Sequence, residues 1–419
     1  MLVMEYNSNK LNWLFQLFRG FLTGALVGVL MTIFALSINV VGKINSSYPF
    51  LVFLIPLGAV ATTFLYKVAG TRYRNSTTEA IDDINNRSRN LAKSQVQHAV
   101  CPQMGAIAYI ATLITHITGA SGGKEGSGVQ IGLAGASAVE MLENKLFKLN
   151  SNNNSEYYLM CGASAAFGAL FSSPIAGVMF GTQFASPKTT RLDAWLPCTI
   201  SSFTAVIISK LLNIHILHIP EFIPLDVTVS NYLIVAIFAV LAGFYSRLFC
   251  FITHSIKHIF QSKIKNEYLQ VLVPSIILLG VSMITYAFTK SFKYNGLGGA
   301  LLSDIIEGKA NHVADLMKLL MVAFTFAAGF AGGEVVPLLI VGAGFGMSFA
   351  SLFSLPVSAF AVLGAISMLS GGTNLPLACF ALGLELFGYS EPTLLFLAAA
   401  LSFLASGTSG IYNHQKKPY

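Results

Sequence analysis

GASGGKEGSGVQIG, residues 119–132, is a polar, glycine-rich interruption between apolar runs. It holds five glycines before its final one and carries Lys124 and Glu125 into otherwise lipid-like sequence. The surroundings decide what those charges mean. Of 419 residues, 54% are hydrophobic and 10% charged, against about one quarter charged in an average soluble domain. Too few polar residues remain to coat a water-soluble particle, so lipid must solvate most of the outer surface. The apolar runs are continuous rather than alternating, which argues against a β-barrel. The fold class is an all-α polytopic membrane protein.

Those runs lie near 20–41, 50–66, 103–119, 129–143, 158–170, 174–186, 193–211, 231–254, 268–289, 316–330, 337–353, 356–369, 375–387 and 392–406. A simple span needs about 20 apolar residues. Many runs are shorter and are cut by Gly or Pro, as expected of helices that stop inside the membrane. Such backbone is tolerated only within protein or beside a water-filled cavity. Paired broken helices mark a transporter's binding site.

The net charge of +7 does not indicate nucleic acid. Arg72, Arg74, Arg87, Arg89 and Lys93 share one polar loop, Lys416 and Lys417 end the chain, and Lys10 and Arg19 precede the first apolar run. Basic residues beside spans mark the cytoplasmic side. The loop GKINSSYP at 42–49, with one lysine, is then external. The expectation is a multi-pass protein of the cell membrane with both termini cytoplasmic. The five cysteines are scattered in mostly apolar contexts without a CxxC pair, so they read as small packing residues. Neither a metal site nor a cofactor is expected.

Two pairs of segments repeat in order. GASAAFGALFSSPIAGVMFGTQ (162–183) matches GAISMLSGGTNLPLACFALGLE (364–385): each opens Gly-Ala and has Pro twelve residues on, at Pro174 and Pro376. Upstream, GKEGSGVQIG (123–132) matches GGEVVPLLIVG (332–342), setting Glu125 against Val335 and Ser127 against Pro337. This predicts two transmembrane halves, 12–211 and 231–412, joined by a linker at 212–230 between short terminal segments, 1–11 and 413–419. An inverted arrangement fits, because substrate sites form where such halves meet near the midplane. Loop 70–100 reads as a short helix plus a connection, and 144–157 as a solvated linker.

The opening stretch is compatible with three chemistries. A phosphate-binding loop would need Gly where Thr118 stands and Ser or Thr where Glu125 stands. An intramembrane serine protease could use Ser121 in GASG, but needs a histidine base from another span; His116 is close in sequence and His254 ends a span. The third reading is electrostatic. A helix N-terminus offers unsatisfied N–H donors and about half a positive charge, so it attracts anions. Glu125 at such a terminus can fill the anion's place when ionised and release it when protonated. The blander alternative is a capping glutamate partnered by Lys124. GGEVVP at 332–337 supplies a second helix start and a second embedded carboxylate, Glu334, whose blander reading is a cap or an ion pair.

GKEGSGVQIG also resembles the GREGPxVQ motif of the CLC family of anion channels and anion/proton exchangers. SSPIAGVMFG (172–181) resembles its PLAGxxF motif, GGEVVP occupies the place of its GxFxP motif, and SGIYNHQ (409–415) resembles the segment bearing its central tyrosine. The four motifs occur in order across nearly the whole chain. The resemblance implies a homodimer with one pore per subunit, a gating and proton-carrying role for Glu125, and an anion-contacting hydroxyl on Tyr412. It further implies backbone contacts to the anion near Gly126, Val335 and Val336. Lys124 and Glu334 are secondary candidates.

Within the family, GGEVxP and an asparagine near the position of the chloride branches' pore serine, here Asn75, resemble the fluoride-exporting branch. Val336 stands where that branch usually has Thr, and Gln183 where it usually has Glu; Lys124 replaces Arg and Ser127 replaces Pro or Thr. The resemblance therefore implies proton-linked fluoride export, with a chloride channel or chloride/proton exchanger as the nearer alternative. The expected partners are a halide anion, protons and the lipid bilayer.

Overall fold

The computed structural model describes residues 2–87, 100–147, 156–187, 191–212, 219–412 and 414–415. Arg89, Lys93, Lys416 and Lys417, most of loop 144–157, and part of the 212–230 stretch lie outside them. Sixteen α-helices fill the described residues. The first eight are α1 (Leu2–Ser47), α2 (Ile55–Ala69), α3 (Ser76–Arg87), α4 (Pro102–Ile117), α5 (Glu125–Phe147), α6 (Glu156–Phe171), α7 (Pro174–Gln183) and α8 (Trp195–Leu211). The second eight are α9 (Val229–Lys263), α10 (Glu267–Thr289), α11 (Gly299–Ile306), α12 (Ala314–Ala327), α13 (Val335–Leu352), α14 (Val357–Thr373), α15 (Pro376–Glu385) and α16 (Pro392–Ser406). Among the described residues, six helical stretches are long and apolar enough to cross a membrane, and several helices are too short to do so. The protein is a multi-pass membrane protein.

The two sets pack alike. α1 lies on α8 as α9 lies on α16; α5 packs α6 as α13 packs α14; α6 packs α8 as α14 packs α16. The repeated prolines fall at one structural position. Pro174 and Pro376 each sit in the first turn of a ten-residue helix, α7 and α15, where the ring's fixed φ suits the helix and no N–H is missed. The residue two places before each proline, Ser172 and Asn374, is left-handed, with φ of 50° and 60°.

Helix α9 spans 35 residues and runs nine beyond the apolar stretch ending at 254. Its extension carries Lys257 and Lys263 on a polar end. The short helix α11 begins after Gly298, left-handed at φ 80°, and lies outside every apolar run read from the sequence. Both differences have one cause: hydropathy reports lipid contact, not helical backbone.

Candidate functional site

The site is built where the halves touch. α4 ends at Ile117 and α12 at Ala327, and each is followed by a left-handed glycine, Gly119 (φ 75°) and Gly329 (φ 77°). The chain then runs extended to Gly123 and Gly333, which form an isolated antiparallel bridge. The Gly123 N–H donates to the Gly333 carbonyl and the Gly333 N–H to the Gly123 carbonyl, each at 2.8 Å. One residue later than Lys124 and Glu334, α5 and α13 begin. The alignment of Glu125 with Val335 is thus a structural equivalence. Reciprocal bonds between equivalent residues are what a two-fold relation between inverted halves requires.

Side chains extend this symmetry. Thr115 Oγ1 donates to the Ala331 carbonyl at 2.7 Å, and the Ser121 N–H donates to Thr325 Oγ1 at 3.0 Å. Glycine is needed where the backbones meet. A Cβ on Gly126 would sit 2.6 Å from the Gly332 carbonyl oxygen and 3.0 Å from Gly333 Cα. The first N–H groups of both helices have no intrahelical acceptor, so this junction gathers several donors from two helix starts around one point.

Glu125 is the first residue of α5 and is 1% exposed. Its carboxylate lies beside the Val336 N–H and the N–H groups of its own turn, yet neither oxygen has a partner at hydrogen-bonding geometry. A buried carboxylate so placed is costly unless a proton or donors relieve it. Lys124 is also buried and lies within Coulombic reach of Glu125, but no ion pair within contact distance joins the two. Glu334 precedes α13 and makes no side-chain cap bond, so the cap reading does not describe it.

A cavity of about 1190 Å³ opens against this junction. Gly126, Glu334, Val335 and Tyr412 all line it. Tyr412 is held edge-on to Phe180 and Phe184, at centroid distances of 6.3 and 5.1 Å. Its strap is pinned by the Ile411 N–H on the Gly372 carbonyl at 2.8 Å and by Gln415 Nε2 on the Phe184 and Thr373 carbonyls at 3.0 and 3.2 Å. Val336 is buried one residue behind the cavity wall. The backbone of Asn75 ends a 3₁₀ turn, Thr71–Asn75, beside the cavity-lining Arg74 and Thr77; its side chain lies outside the described residues.

The geometry is unfavourable for the protease reading. Ser121 is wholly buried, and its hydroxyl donates to the Tyr294 carbonyl at 3.1 Å. No histidine among the described residues bonds to it, and His254 faces the cavity instead. No cluster of three or more His, Cys, Asp or Glu side chains gathers among the described residues. Of the phenylalanines in α9, Phe238 and Phe249 are fully buried, while Phe244 reaches the cavity. Sequence reasoning missed the cavity's cations: Arg74, Arg247 and Lys257 line it. It also missed Lys318, fully buried with its ammonium on the Tyr294 and Gly296 carbonyls at 3.0 and 3.1 Å.

Two inverted halves whose broken helices point their N-termini at a shared, cavity-bounded junction define an inverted-repeat membrane protein with its site at the repeat interface. The model of the voltage gated chloride channel family matches residues 57–409. The chain belongs to that family, the CLC family. It is 27% identical over 405 residues to a chloride/fluoride channel protein of Pseudomonas syringae pv. tomato, covering 94% of this chain and 85% of that one. It is 26% identical over 238 residues to an H(+)/Cl(-) exchange transporter of Vibrio parahaemolyticus, covering 54% and 48%. The fold matches the crystal structure of a CLC-type fluoride/proton antiporter with a TM-score of 0.85 at 23% identity, over 96% of this chain and 97% of that one. A eukaryotic CLC transporter matches with a TM-score of 0.75 at 17% identity, over 94% and 72%.

Proposed function

We propose that this protein moves a halide across the membrane in exchange for protons, with fluoride exported from the cell. The observation that carries the reading is the junction itself: two helix N-termini from opposite halves, and a buried carboxylate between them with no hydrogen-bond partner of its own. Backbone N–H groups near Gly126, Val335 and Val336 hold the anion, with the Tyr412 hydroxyl and the Asn75 side chain as further donors. Fluoride holds its water tightly, so a site for it must offer several donors at once. Ionised, the Glu125 carboxylate occupies the anion's place. Protonated, it loses its attraction for the helix dipoles and yields to the anion, so one carboxylate links the two movements. Lys124 tunes the local field.

The halves 12–211 and 231–412 are read as the two repeats, joined through 212–230. The cationic cavity is read as opening to the cytoplasm, on the side of the basic loop after α2, with both termini on that side. A homodimer with one pathway per subunit suits the exposed apolar faces of the helices. The curated names of relatives mention both chloride and fluoride, which keeps a chloride channel or chloride/proton exchanger as the second reading.

The test is efflux from sealed liposomes containing the purified chain, followed with fluoride and chloride electrodes while internal pH is recorded. Fluoride efflux with opposite proton movement supports the reading. Chloride leaving as fast as fluoride favours the second one, and no halide efflux removes both.

A further inference from the structure

The end of α2, the end of α9 and the start of α10 meet at one corner of the molecule, and the corner is cationic. Lys67, in the last turn of α2, pairs with Glu267 in the first turn of α10 at 3.6 Å and lies 5.5 Å from the centroid of the Tyr268 ring. Arg72 donates to the Tyr73 hydroxyl at 2.8 Å and lies 4.8 Å from the centroid of that ring. Lys263 closes α9, and Lys265 follows in the turn to α10. That turn is fixed by side chains. Asn266 accepts from the Tyr268 and Leu269 N–H groups at 2.9 and 3.2 Å, and Gln270 Nε2 donates to the Gln261 and Ile264 carbonyls at 3.2 and 2.6 Å. All four cations are exposed.

Two carboxylates stand among them. Glu267 is held by the exposed pair with Lys67, which is worth little in water, and Glu79 lies within Coulombic reach of Arg72. Among the described residues, Lys263 and Lys265 make no ion pair. Next to these charges the surface turns apolar. Phe64 and Val68 on α2, and Leu269 and Val273 on α10, are exposed at four-residue intervals. Each pair therefore shares one helix face, and α2 packs against α10. Cations beside spans sort topology, but sorting needs only their number. It does not require cations placed on aromatic rings, a capped turn, or the meeting of helices far apart in sequence.

We infer that this corner binds an anionic phospholipid, its phosphate among Lys67, Arg72, Lys263 and Lys265 and its chains along the exposed faces of α2 and α10. The occupant follows from the chemistry. Lipid already solvates the apolar faces, the excess positive charge calls for an anion, and an anionic phospholipid offers both in one molecule. Lysines suit a mobile headgroup, being point charges on flexible stems. The place matters because α2 and α10 back the junction of the two halves. A Cβ on Gly58 of α2 would lie 2.7 Å from Thr118 Cγ2 and 3.2 Å from Phe330 Cε1, and one on Gly329 would lie 3.0 Å from Val271 Cγ1 of α10. Thr118 and Gly329 belong to the turns that lead to the two helix starts. The lipid site rests on the membrane fold and not on which ion is carried.

The experiment is native mass spectrometry of the full-length chain released from neutral detergent, after titration with dioleoyl phosphatidylglycerol or dioleoyl phosphatidylcholine, with melting followed in parallel. Each variant is first shown to elute as the native species does. The native chain retains phosphatidylglycerol in preference to phosphatidylcholine and melts higher with it. One lysine near an anionic headgroup contributes roughly fivefold, so Lys67→Gln, Lys263→Gln and Lys265→Gln combined weaken retention about a hundredfold. Arginine at the same three positions keeps the charge and the lipid. Glu267→Gln tightens retention, because one resident negative charge is gone. Lys290→Gln, at the far end of α10, leaves it unchanged. Equal retention of both lipids by the native chain overturns the site, as does native-like retention by the triple variant or an equal loss in Lys290→Gln. Displacement of the lipid by soluble glycerol phosphate at the same concentration overturns the lipid assignment in favour of a phosphate site. If the triple variant does not fold, the direction of the Glu267→Gln change decides. A native chain that retains phosphatidylglycerol in this way yet moves no halide overturns only the transport reading.

Discussion

Adding one methyl group at the meeting of the two halves, in Gly126→Ala, should damage both stability and transport. The new Cβ falls 2.6 Å from the Gly332 carbonyl oxygen, 3.0 Å from Gly333 Cα and 3.3 Å from the Gly332 carbonyl carbon. All three are backbone atoms, so no side chain can swing aside. Either the α5 start or the 332–333 segment must move by several tenths of an ångström. Overpacking of this kind costs about 1–3 kcal/mol. The shift also strains the reciprocal Gly123–Gly333 bonds, each worth roughly 0.5–1.5 kcal/mol net. Together these give a loss of about 2–6 kcal/mol and spread the donors the anion needs. The assay is thermal unfolding in detergent beside fluoride efflux from liposomes. Gly280→Ala is the control, since a Cβ there meets nothing within 4 Å in the middle of α10, and Ala is the better helix former. Native melting and native efflux in Gly126→Ala would refute the claim that the two helix starts must touch.

Three further outcomes are expected. Tyr412→Phe keeps the ring contacts with Phe180 and Phe184 but removes the donor, so melting holds while anion affinity falls roughly tenfold to a hundredfold, the worth of one hydrogen bond to a charged group, read by calorimetric titration of the full-length chain in detergent with sodium fluoride. Glu385→Ala removes the carboxylate that accepts from the Ile175 and Ala176 N–H groups at 3.0 and 2.8 Å, a clamp from α15 onto the start of α7. This lowers stability by roughly 0.5–2 kcal/mol, seen as a lower melting temperature with efflux per folded molecule retained. Ser121→Ala loses only the bond to the Tyr294 carbonyl; efflux continues, and a serine-directed activity probe labels the native chain no more than the variant.

Much of the site was legible because its physics is local. A run of glycines, a carboxylate at a helix start and a proline that opens a helix are all readable in sequence, and the second copy of each fixed the register. Glu125 and Val335 align in sequence, and the Gly123–Gly333 bridge gives that alignment a structural basis. What stayed hidden depends on distant elements meeting. Nothing in residues 314–327 alone predicts that Lys318 will reach the Tyr294 carbonyl, or that Glu385 will cap a helix in the other half. The stripe from Arg247 to Gln261 was different. Arg247, Cys250, His254, Lys257 and Gln261 recur at three- and four-residue spacing in the sequence, the mark of one helix face, yet mean hydropathy registers only the apolar run around them. Helix α11 escaped for the converse reason, since eight residues between loops leave too short a period to read.

The central claim is that one carboxylate, Glu125, alternates between filling the anion site and carrying a proton. The most direct measurement is simultaneous fluoride efflux and proton movement in liposomes, for the native chain and for Glu125→Gln, across a range of pH. Protonation neutralises the carboxylate that competes with the anion, so native flux should rise as pH falls, with protons moving opposite to fluoride. Glu125→Gln mimics the neutral form permanently; any fluoride flux that remains should carry no protons and should not respond to pH. Proton movement in fixed ratio to fluoride, persisting unchanged in Glu125→Gln, would contradict the account.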